Sequence, residues 1–261
     1  MVSSHTDTRL VVVSGAASGI GRATAELLAE RGHRVVGVDR ATAPDGFGEA
    51  LHWIQGDVTA AATWSRVEAA CRALDPLGAQ GFVACAGTAD GGPFADTPLD
   101  TWRRLFEINV LGVVQGMQTL IPPMRARGAG AIAVVSSISA FIVEDASSAY
   151  CASKAALLQA VRSAALEYAG DGLRINAVCP GIVDTPLLRG FVDVLDDPGA
   201  VYGAWERRTP TGKLLRAEEV AEVLCFLVGD GASGLSGASV TIDGGLTTTF
   251  DFDVTTRTAA H

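Results

Sequence analysis

The amino-acid sequence predicts an α/β fold: a doubly wound parallel sheet of about seven strands with helices on both faces. Short apolar runs rich in β-branched residues alternate with longer stretches of helical periodicity. Such alternation builds a parallel sheet that helices cover on both faces. The 261 residues, 48% of them hydrophobic, provide enough core for one domain, and no repeat or linker divides residues 1–261.

The first half of the chain is predicted from its apolar runs and its helical spacing. We expect strands at 10–13, 34–38, 51–54 and 81–85, and helices at 22–31, 60–74 and 99–127. Gly32 ends the first helix. Gly112 and Gly116 lie within the long third helix, where they indicate close packing against a neighbour rather than a break.

The second half continues the alternation, with one irregular region. We expect strands at 131–136, 173–178 and 239–242, helices at 150–169 and 217–228, and a stop at Pro180. Residues 184–216 contain several prolines and glycines, and we interpret them as an irregular lid over a substrate site. Residues 1–9 form a polar tail. Residues 247–261 form another, either a frayed end or an arm that reaches a neighbouring subunit.

Composition and charge exclude several classes of partner. The net charge of −9 disfavours binding to nucleic acid or to an anionic membrane. The five cysteines are scattered and lack metal-type spacing, which indicates reduced thiols in a cytoplasmic protein and no metal site. The four histidines fall in no site motif. We find no signal peptide and no apolar run long enough to cross a bilayer.

Three glycines lie between the first strand and the first helix. Gly15, Gly19 and Gly21 have the spacing Gly-x3-Gly-x-Gly. A backbone without side chains can turn sharply there and approach a pyrophosphate, which the free N–H groups of the helix N-terminus bind. The alternative is an ordinary glycine-rich turn. The position between a strand and a helix favours a dinucleotide site.

Acidic residues follow the second and third strands. A carboxylate at Asp39 can accept hydrogen bonds from the ribose hydroxyls of adenosine and repels a 2′-phosphate, which favours NAD over NADP. Arg40 could soften this preference, while Ser18 adds no positive charge. Asp57 either holds the adenine amino group or caps the next turn.

A possible catalytic group follows the fifth strand. Tyr150 and Lys154 are four residues apart, so on a helix they lie on one face, and Ser137 could aim its hydroxyl at the same place. At ~4 Å and an effective dielectric of about 20, the ammonium would lower the phenol pKa by roughly three units. We therefore expect Tyr150 to titrate near neutrality, where it can transfer protons.

These residues resemble the short-chain dehydrogenase/reductase family in its compact single-domain form, with a Rossmann-type sheet. The resemblance covers residues 10–245. The matching elements are the glycine spacing, Asp57-Val58, Ala86-Gly87, Asn109, Ser137, Tyr150-x3-Lys154, Pro180-Gly181 with Thr185, and Asp243-Gly244-Gly245. Each is weak alone, but their order and spacing together are specific.

The resemblance implies a role for each matching residue. Tyr150 is the expected general acid/base, with Lys154 holding the nicotinamide ribose and Ser137 holding the substrate oxygen. Asn109 is expected to hold a water that leads to Lys154. Ser136 is a rival for the serine role, but Ser137 lies at the usual family distance from Tyr150. The implied cofactor-binding set is Gly15, Ser18, Gly19, Ile20, Gly21, Asp39, Asp57, Val58, Ala86, Gly87, Tyr150, Lys154, Pro180, Gly181, Val183 and Thr185.

The sequence departs from the family at one strand end. The family often has Asn-Asn-Ala-Gly after the fourth strand, whereas this chain has Ala84-Cys85-Ala86-Gly87. Amide hydrogen bonds that brace the central sheet are lost there. We interpret Cys85 as a small buried space-filler rather than a redox group.

The implied reaction interconverts a secondary alcohol and a ketone with NAD. Apolar residues in 138–145 and 186–205 favour an apolar or cyclic substrate. The alternative is that they pack in the core or in an oligomer interface. One alternative is a 3-oxoacyl thioester (acyl carrier protein) reductase that uses NADPH and docks its carrier on Arg103, Arg104, Arg125 and Arg127. A non-catalytic cofactor-sensing regulator is another. The family also implies a homo-oligomer, a tetramer or a dimer, packed through residues 99–127, 150–169 and 239–245.

Overall fold

A computed structural model describes residues 8–44 and 50–248 of the chain. Most of the predicted N-terminal tail and of the C-terminal tail lies outside these residues. Whether residues 247–261 form an arm therefore stays a prediction. No helix within the described ranges is both long and apolar enough to cross a membrane.

Seven parallel strands form the central sheet in the order β3-β2-β1-β4-β5-β6-β9. A small second sheet pairs β7 with β8. The strands are β1 (Leu10–Ser14), β2 (Arg34–Asp39), β3 (Leu51–Gln55), β4 (Gly81–Ala84), β5 (Gly130–Val135), β6 (Leu173–Pro180), β7 (Val183–Asp184), β8 (Leu215–Arg216) and β9 (Ser239–Ile242). The chain order reverses between β1 and β4, so the sheet is doubly wound and Rossmann-type, as the sequence predicts.

Helices cover both faces of this sheet. They are α1 (Gly19–Glu30), α2 (Ala61–Leu74), α3 (Leu99–Phe106), α4 (Gly112–Arg127), α5 (Ser148–Tyr168), α6 (Pro186–Val192), α7 (Pro198–Arg208) and α8 (Ala217–Val228). One buried cluster packs α2, α4 and α5 against the sheet. A second packs α1 and α8 against the other face. Both faces of β1 are therefore buried, and its β-branched run Val11–Val13 is fully enclosed.

The glycines predicted to allow close packing do so. A Cβ atom added at Gly116 would lie 2.6 Å from the Trp64 ring and 2.8 Å from Phe82. One added at Gly112 would lie 3.0 Å from Val58. The prediction for these two positions is confirmed. A π-helical turn, Glu107–Leu111, joins α3 to α4 within the long helical stretch.

The sixth strand runs further than the sequence indicates. We expected it to stop before Pro180, but β6 includes this residue, which pairs with Ile242 of β9. On its other side, β6 pairs with β5 only as far as Val178. A proline that lacks an N–H is tolerated there because β5 has already ended.

Residues 184–216, predicted to be irregular, contain the two helices α6 and α7, so the expectation of irregular structure is wrong. That this region covers a substrate site stays a prediction. Thr185 caps α6, where its hydroxyl accepts a hydrogen bond from the Leu188 N–H, and Asp197 caps α7 through the Ala200 N–H. Pro186 and Pro198 are the first residues of these helices. Proline favours that position because its fixed φ suits a helix and the first N–H needs no partner. The two prolines therefore begin helices rather than break them.

Candidate active site

A cleft of about 300 Å³ opens where the carboxyl ends of β1, β2, β3 and β4 meet. Its lining includes eleven of the predicted cofactor residues: Gly15, Ser18, Gly19, Ile20, Gly21, Asp39, Asp57, Val58, Ala86, Gly87 and Thr185. It also includes residues that the sequence analysis did not assign to the cofactor: Arg40, Gly56, Cys85, Thr88, Ile108, Pro186 and Leu187. Of these residues, Ile108 could have been found from the sequence because it precedes Asn109, which the sequence analysis did assign to the site.

The glycine loop leaves no room for side chains. A Cβ atom added at Gly21 would lie 2.1 Å from the Gly15 carbonyl oxygen, and one at Gly15 would lie 2.7 Å from the Ala86 nitrogen. Gly15 and Gly19 also have positive φ angles, 72° and 53°. The loop therefore brings bare backbone and the start of α1 to the cleft, which suits a bound pyrophosphate.

The Asp39 carboxylate reaches the cleft from the end of β2. It accepts hydrogen bonds from the Ala17 N–H at 3.1 Å and from the Ala41 N–H at 3.0 Å. A carboxylate has about four acceptor positions, so these two bonds leave capacity for ribose hydroxyls. Asp39 thus braces the glycine loop and presents negative charge where an adenosine ribose would bind.

Asp57 caps a turn and also lines the cleft. Its carboxylate accepts hydrogen bonds from the backbone and the hydroxyl of Thr59, both at 2.8 Å. The Thr59 backbone bond is the main cause that lowers the pKa of Asp57. The capping alternative is therefore observed, and contact with an adenine stays a prediction.

Five predicted cofactor residues are absent from the cleft lining: Tyr150 and Lys154, which are described below, and three residues at and after the end of β6. Pro180 ends β6, Gly181 donates its N–H to the Ile242 carbonyl, and Val183 is buried in β7. A Cβ atom at Gly181 would lie 2.9 Å from Asp243, whose carboxylate accepts the Gly245 and Thr247 N–H groups. These residues hold the β6 and β9 ends together beneath the segment that leads to Thr185.

Asn109 lies in the π-helical turn and is fully buried. Its amide donates to the Thr88 carbonyl at 2.9 Å and to the Ser153 hydroxyl at 3.0 Å, while its oxygen accepts from the Thr88 N–H at 2.8 Å. These bonds tie α5 to the loop after β4. A water between Asn109 and Lys154 stays a prediction.

The two neighbouring serines point in different directions. Ser136 donates to the Lys154 main-chain carbonyl at 3.1 Å, so its hydroxyl is committed to the backbone of α5. The Ser137 hydroxyl instead lies close enough to the Tyr150 phenol to act against the rise of its pKa. The geometry therefore favours Ser137 over its rival as the serine beside Tyr150.

Tyr150 and Lys154 share one face in the first two turns of α5. The Lys154 ammonium lies 5.7 Å from the centre of the Tyr150 ring and donates to the Val135 carbonyl at 3.1 Å. Lys154 is buried, and that burial lowers its pKa to about 8. The structure thus brings Ser137, Tyr150 and Lys154 together beside Gly87, at the end of the cleft.

The expected lowering of the Tyr150 pKa is wrong for the protein side chains alone. Burial is the largest cause and raises the pKa of Tyr150 to about 12, with Glu144 adding to the rise. The Ser137 hydrogen bond acts in the opposite direction. Our expectation assumed an ammonium at ~4 Å in a polar medium. Lys154 is instead directed at the Val135 carbonyl, and burial disfavours the phenolate.

Cys85 sits between the glycine loop and Lys154. Burial raises the pKa of its thiol to about 12, so it stays protonated. A Cβ atom added at Gly21 would lie 3.2 Å from that of Cys85. Cys85 therefore fills space against the loop, in agreement with the prediction.

Exposed apolar side chains occur in the segment before α5 and in and after α6, and one of them, Leu187, lines the cleft. In the segment before α5, Phe141 is 48% exposed and Val143 86%. In and after α6, Leu187, Phe191 and Leu195 are each about half exposed. These residues, which we call the apolar wall, do not pack into the core of the chain. Tyr202 and Trp205 of α7 form an edge-to-face pair with ring centres 6.2 Å apart.

A glycine loop before a helix and a cleft at the carboxyl edge of a parallel sheet define a dinucleotide-binding protein. A family model described as enoyl-(acyl carrier protein) reductase matches residues 15–247. The chain belongs to the short-chain dehydrogenase/reductase family.

Relatives with known activities extend over nearly the whole chain. A cis-4-hydroxycyclohexanecarboxylate dehydrogenase of Sinomonas cyclohexanicum is 43% identical over 92% of this chain and 96% of its own. A cyclopentanol dehydrogenase of Comamonas sp. is 32% identical over 92% and 97%. The ligand-free aldohexose dehydrogenase of Thermoplasma acidophilum superposes with a TM-score of 0.87 at 29% identity, covering 94% and 96%. The chain is an oxidoreductase of the CH–OH group, and its family uses NAD or NADP.

Proposed function

We propose that this chain is an NAD-dependent dehydrogenase that interconverts a small apolar, cyclic secondary alcohol and its ketone. The observation that carries the proposal is the meeting of Ser137 and Lys154 at Tyr150 beside a cleft that holds the Asp39 carboxylate. Proton transfer, substrate orientation and cofactor choice each have a group in this arrangement.

Tyr150 is the general acid/base of the proposed reaction. In the oxidative direction its phenolate takes the proton of the alcohol hydroxyl, and in the reductive direction its hydroxyl returns it. Ser137 donates a hydrogen bond to the substrate oxygen and stabilises the charge that develops there. Lys154, held by the Val135 carbonyl, is placed to bind the ribose hydroxyls of the cofactor. The cofactor, when bound, supplies the hydride acceptor and a positive charge.

NAD is the proposed cofactor because of the carboxylate at the end of β2. A 2′-phosphate beside Asp39 would meet a like charge, whereas ribose hydroxyls can donate to it. Among the described residues that line the cleft, Arg40 is the one cation that could reduce this preference.

The apolar wall supports an apolar substrate. Side chains that are half exposed at the mouth of an active site gain stability when an apolar ligand covers them. The names of two relatives, which specify a cyclohexane and a cyclopentane ring, support a cyclic substrate. The aldohexose dehydrogenase has a sugar in its name, and sugars are the contrasting class.

Reduction of an acyl-carrier thioester is the second candidate, and the description of the matching family model favours it. The charges argue against it. The four arginines proposed as a docking patch form ion pairs with Asp100, Asp90, Asp171 and Asp75. Arg104 and Arg125 are also separated by about 30 Å of helix, since each residue adds ~1.5 Å. They do not form one basic surface.

A screen of purified protein tests the proposal. Cyclopentanol, cyclohexanol, 4-hydroxycyclohexanecarboxylate, glucose and a 3-hydroxyacyl thioester are each offered with NAD and, in parallel, with NADP, and reduced nicotinamide is followed by absorbance. We expect the cyclic alcohols with NAD to give the highest kcat/KM. Turnover of glucose or of the thioester alone, or preference for NADP, would contradict the proposal.

We also propose a cytoplasmic homo-oligomer. All five cysteines are free thiols, which suits a reducing compartment. A groove between α4 and α5 is lined by Met117, Ile121, Ala164 and Tyr168, which suits packing against a second copy. Sedimentation at working concentration should give a dimer or a tetramer, and a monomer would contradict this.

A further inference from the structure

A chain of hydrogen bonds leads from Ser137 to an exposed carboxylate. The Ser137 hydroxyl lies 3.0 Å from the Ser139 hydroxyl, and the Ser139 hydroxyl donates to the Glu144 carboxylate. The Ser139 N–H also donates to the Ser137 oxygen at 3.1 Å. Both serines are buried in the turn that follows β5, so the chain runs inside the protein until it reaches Glu144.

The carboxylate decides which way these hydroxyls point. An ionised carboxylate only accepts hydrogen bonds, so Ser139 must give its single proton to Glu144. The Ser139 oxygen can then only accept from Ser137. The Ser137 proton is therefore directed at Ser139, and the Ser137 oxygen offers a lone pair to its other neighbours.

This direction affects an alcohol and a ketone differently. A ketone oxygen is only an acceptor, so Ser137 must withdraw its proton from Ser139 before it can donate to the ketone. An alcohol hydroxyl is both donor and acceptor, so in the bound complex it can donate to the Ser137 lone pair and keep the chain intact. It turns this one proton to Tyr150 only for the transfer itself. Breaking one hydrogen bond of this kind changes an equilibrium by about fivefold.

We propose that Glu144 is a positioning residue that acts through Ser139 to direct the Ser137 proton away from the substrate, and so favours bound alcohol over bound ketone. The inference rests on the proposed function, because it concerns the same substrate oxygen. It assigns a task to an exposed carboxylate that no motif in the sequence singles out.

Glu144 also acts on Tyr150 through space. Its charge raises the pKa of Tyr150, as does the neighbouring Cys151. The Lys154 ammonium faces the same ring from the next turn of α5, and Asp145 follows Glu144 in the loop. Removing the Glu144 charge should therefore ease ionisation of Tyr150, an effect that does not pass through Ser139.

Two variants separate these effects. Glu144→Gln removes the charge and can donate to Ser139, which frees the Ser137 proton for a ketone. Ser139→Ala also frees that proton but keeps the charge. We expect the KM for cyclopentanone with NADH to fall about fivefold in both variants. The pH midpoint of kcat/KM for cyclopentanol with NAD should move to lower pH in Glu144→Gln only.

Glu68→Gln is the matched control, because it removes the same charge from the exposed face of α2, where Glu68 pairs with Arg72. It should leave both measurements unchanged. Titrating cyclopentanone into the NADH complex by fluorescence gives the same ketone affinities without turnover.

The outcomes also separate this inference from the proposed function. A wild-type chain that turns over neither compound would overturn the proposed function and this inference with it. Wild-type turnover with an unchanged ketone KM in both variants would overturn the inference alone. A fall in kcat for both oxidation and reduction in the two variants, with KM unchanged, would also overturn the inference. Damage to the fold, and not the direction of the hydroxyls, would then explain the effect.

Discussion

The cofactor cleft and the apolar wall are built in different ways. In the cleft, bare backbone forms the surface that we propose to bind the cofactor: Gly15 and Gly21 lie so close to their neighbours that no side chain fits. In the apolar wall, exposed side chains are the groups that we propose to bind substrate: Phe141 is 48% exposed and Val143 86%. We therefore expect a change in the cleft to affect both folding and cofactor binding, and a change in the wall to affect mainly the choice of substrate. Tyr150 lies where the two regions meet.

The largest effect is expected where the two regions meet. Tyr150→Phe removes the proton donor and acceptor but keeps the ring, so we expect kcat to fall about 10²- to 10⁴-fold. Affinity for NAD should stay within about threefold, because the cleft is unchanged. Steady-state kinetics and calorimetric titration with NAD measure the two quantities. A variant that keeps most of its kcat would remove Tyr150 from the chemistry and revive the regulator alternative.

The next effect tests the cleft. Gly21→Ala places a Cβ atom 2.1 Å from the Gly15 oxygen, and relief of such an overlap costs about 3 kcal/mol. We expect NAD affinity to fall about a hundredfold and the melting temperature to drop. Gly170→Ala is the control, since a Cβ there has no neighbour within 4 Å. Equal behaviour of the two variants would contradict the distinction between cleft and surface.

Burial of Lys154 makes a prediction about pH. Its pKa falls from 10.5 to about 8 on folding, so between these values the unfolded chain binds more protons and the folded state gains stability as pH rises. Below pH 8 the buried charge costs the wild type about 3 kcal/mol. Lys154→Met should therefore be more stable than the wild type at pH 7 but inactive.

Urea unfolding of both proteins at pH 7 and at pH 10 measures this cost. The stability advantage of Lys154→Met should shrink as the pH rises, because the wild-type lysine then loses its proton. An advantage of the same size at both pH values would show that the charge is not what destabilises the wild type.

The smallest effect on stability is expected in the wall. Phe141→Ala should change the free energy of unfolding by less than about 1 kcal/mol, since the side chain is 48% exposed. The KM for a cyclic alcohol should nevertheless rise several-fold. Leu77→Ala is the control, because Leu77 is 56% exposed and lies outside the wall. A KM that rises equally in both variants would mean that the wall does not bind substrate.

The sequence predicted the cleft well because backbone geometry leaves few alternatives. A sharp turn between a buried strand and a helix requires glycine, so the spacing of Gly15, Gly19 and Gly21 predicts this loop. The strands of the central sheet followed from their β-branched runs to within one residue at each end, except that β6 runs two residues further, to Pro180. The two-residue strands β7 and β8 were not predicted. The helices α6 and α7 were missed because Pro186 and Pro198 were interpreted as breakers instead of first residues.

Electrostatics and hydroxyl directions were harder to predict. The Tyr150 pKa depends on burial and on where the Lys154 ammonium points, and residue spacing gives neither. The link from Ser137 to Glu144 depends on a single turn of 3₁₀ helix at Ile138–Ala140. No pattern in the sequence marks it. Such contacts appear only when the chain is folded.

Transfer of deuterium tests the central claim most directly. Cyclopentanol that carries deuterium on its carbinol carbon is incubated with NAD and the wild-type protein, and the cofactor is examined by mass spectrometry and NMR. The account predicts one deuterium on C4 of the nicotinamide for each cyclopentanone formed, and none with Tyr150→Phe. Reduced cofactor without deuterium, or ketone without reduced cofactor, would contradict it.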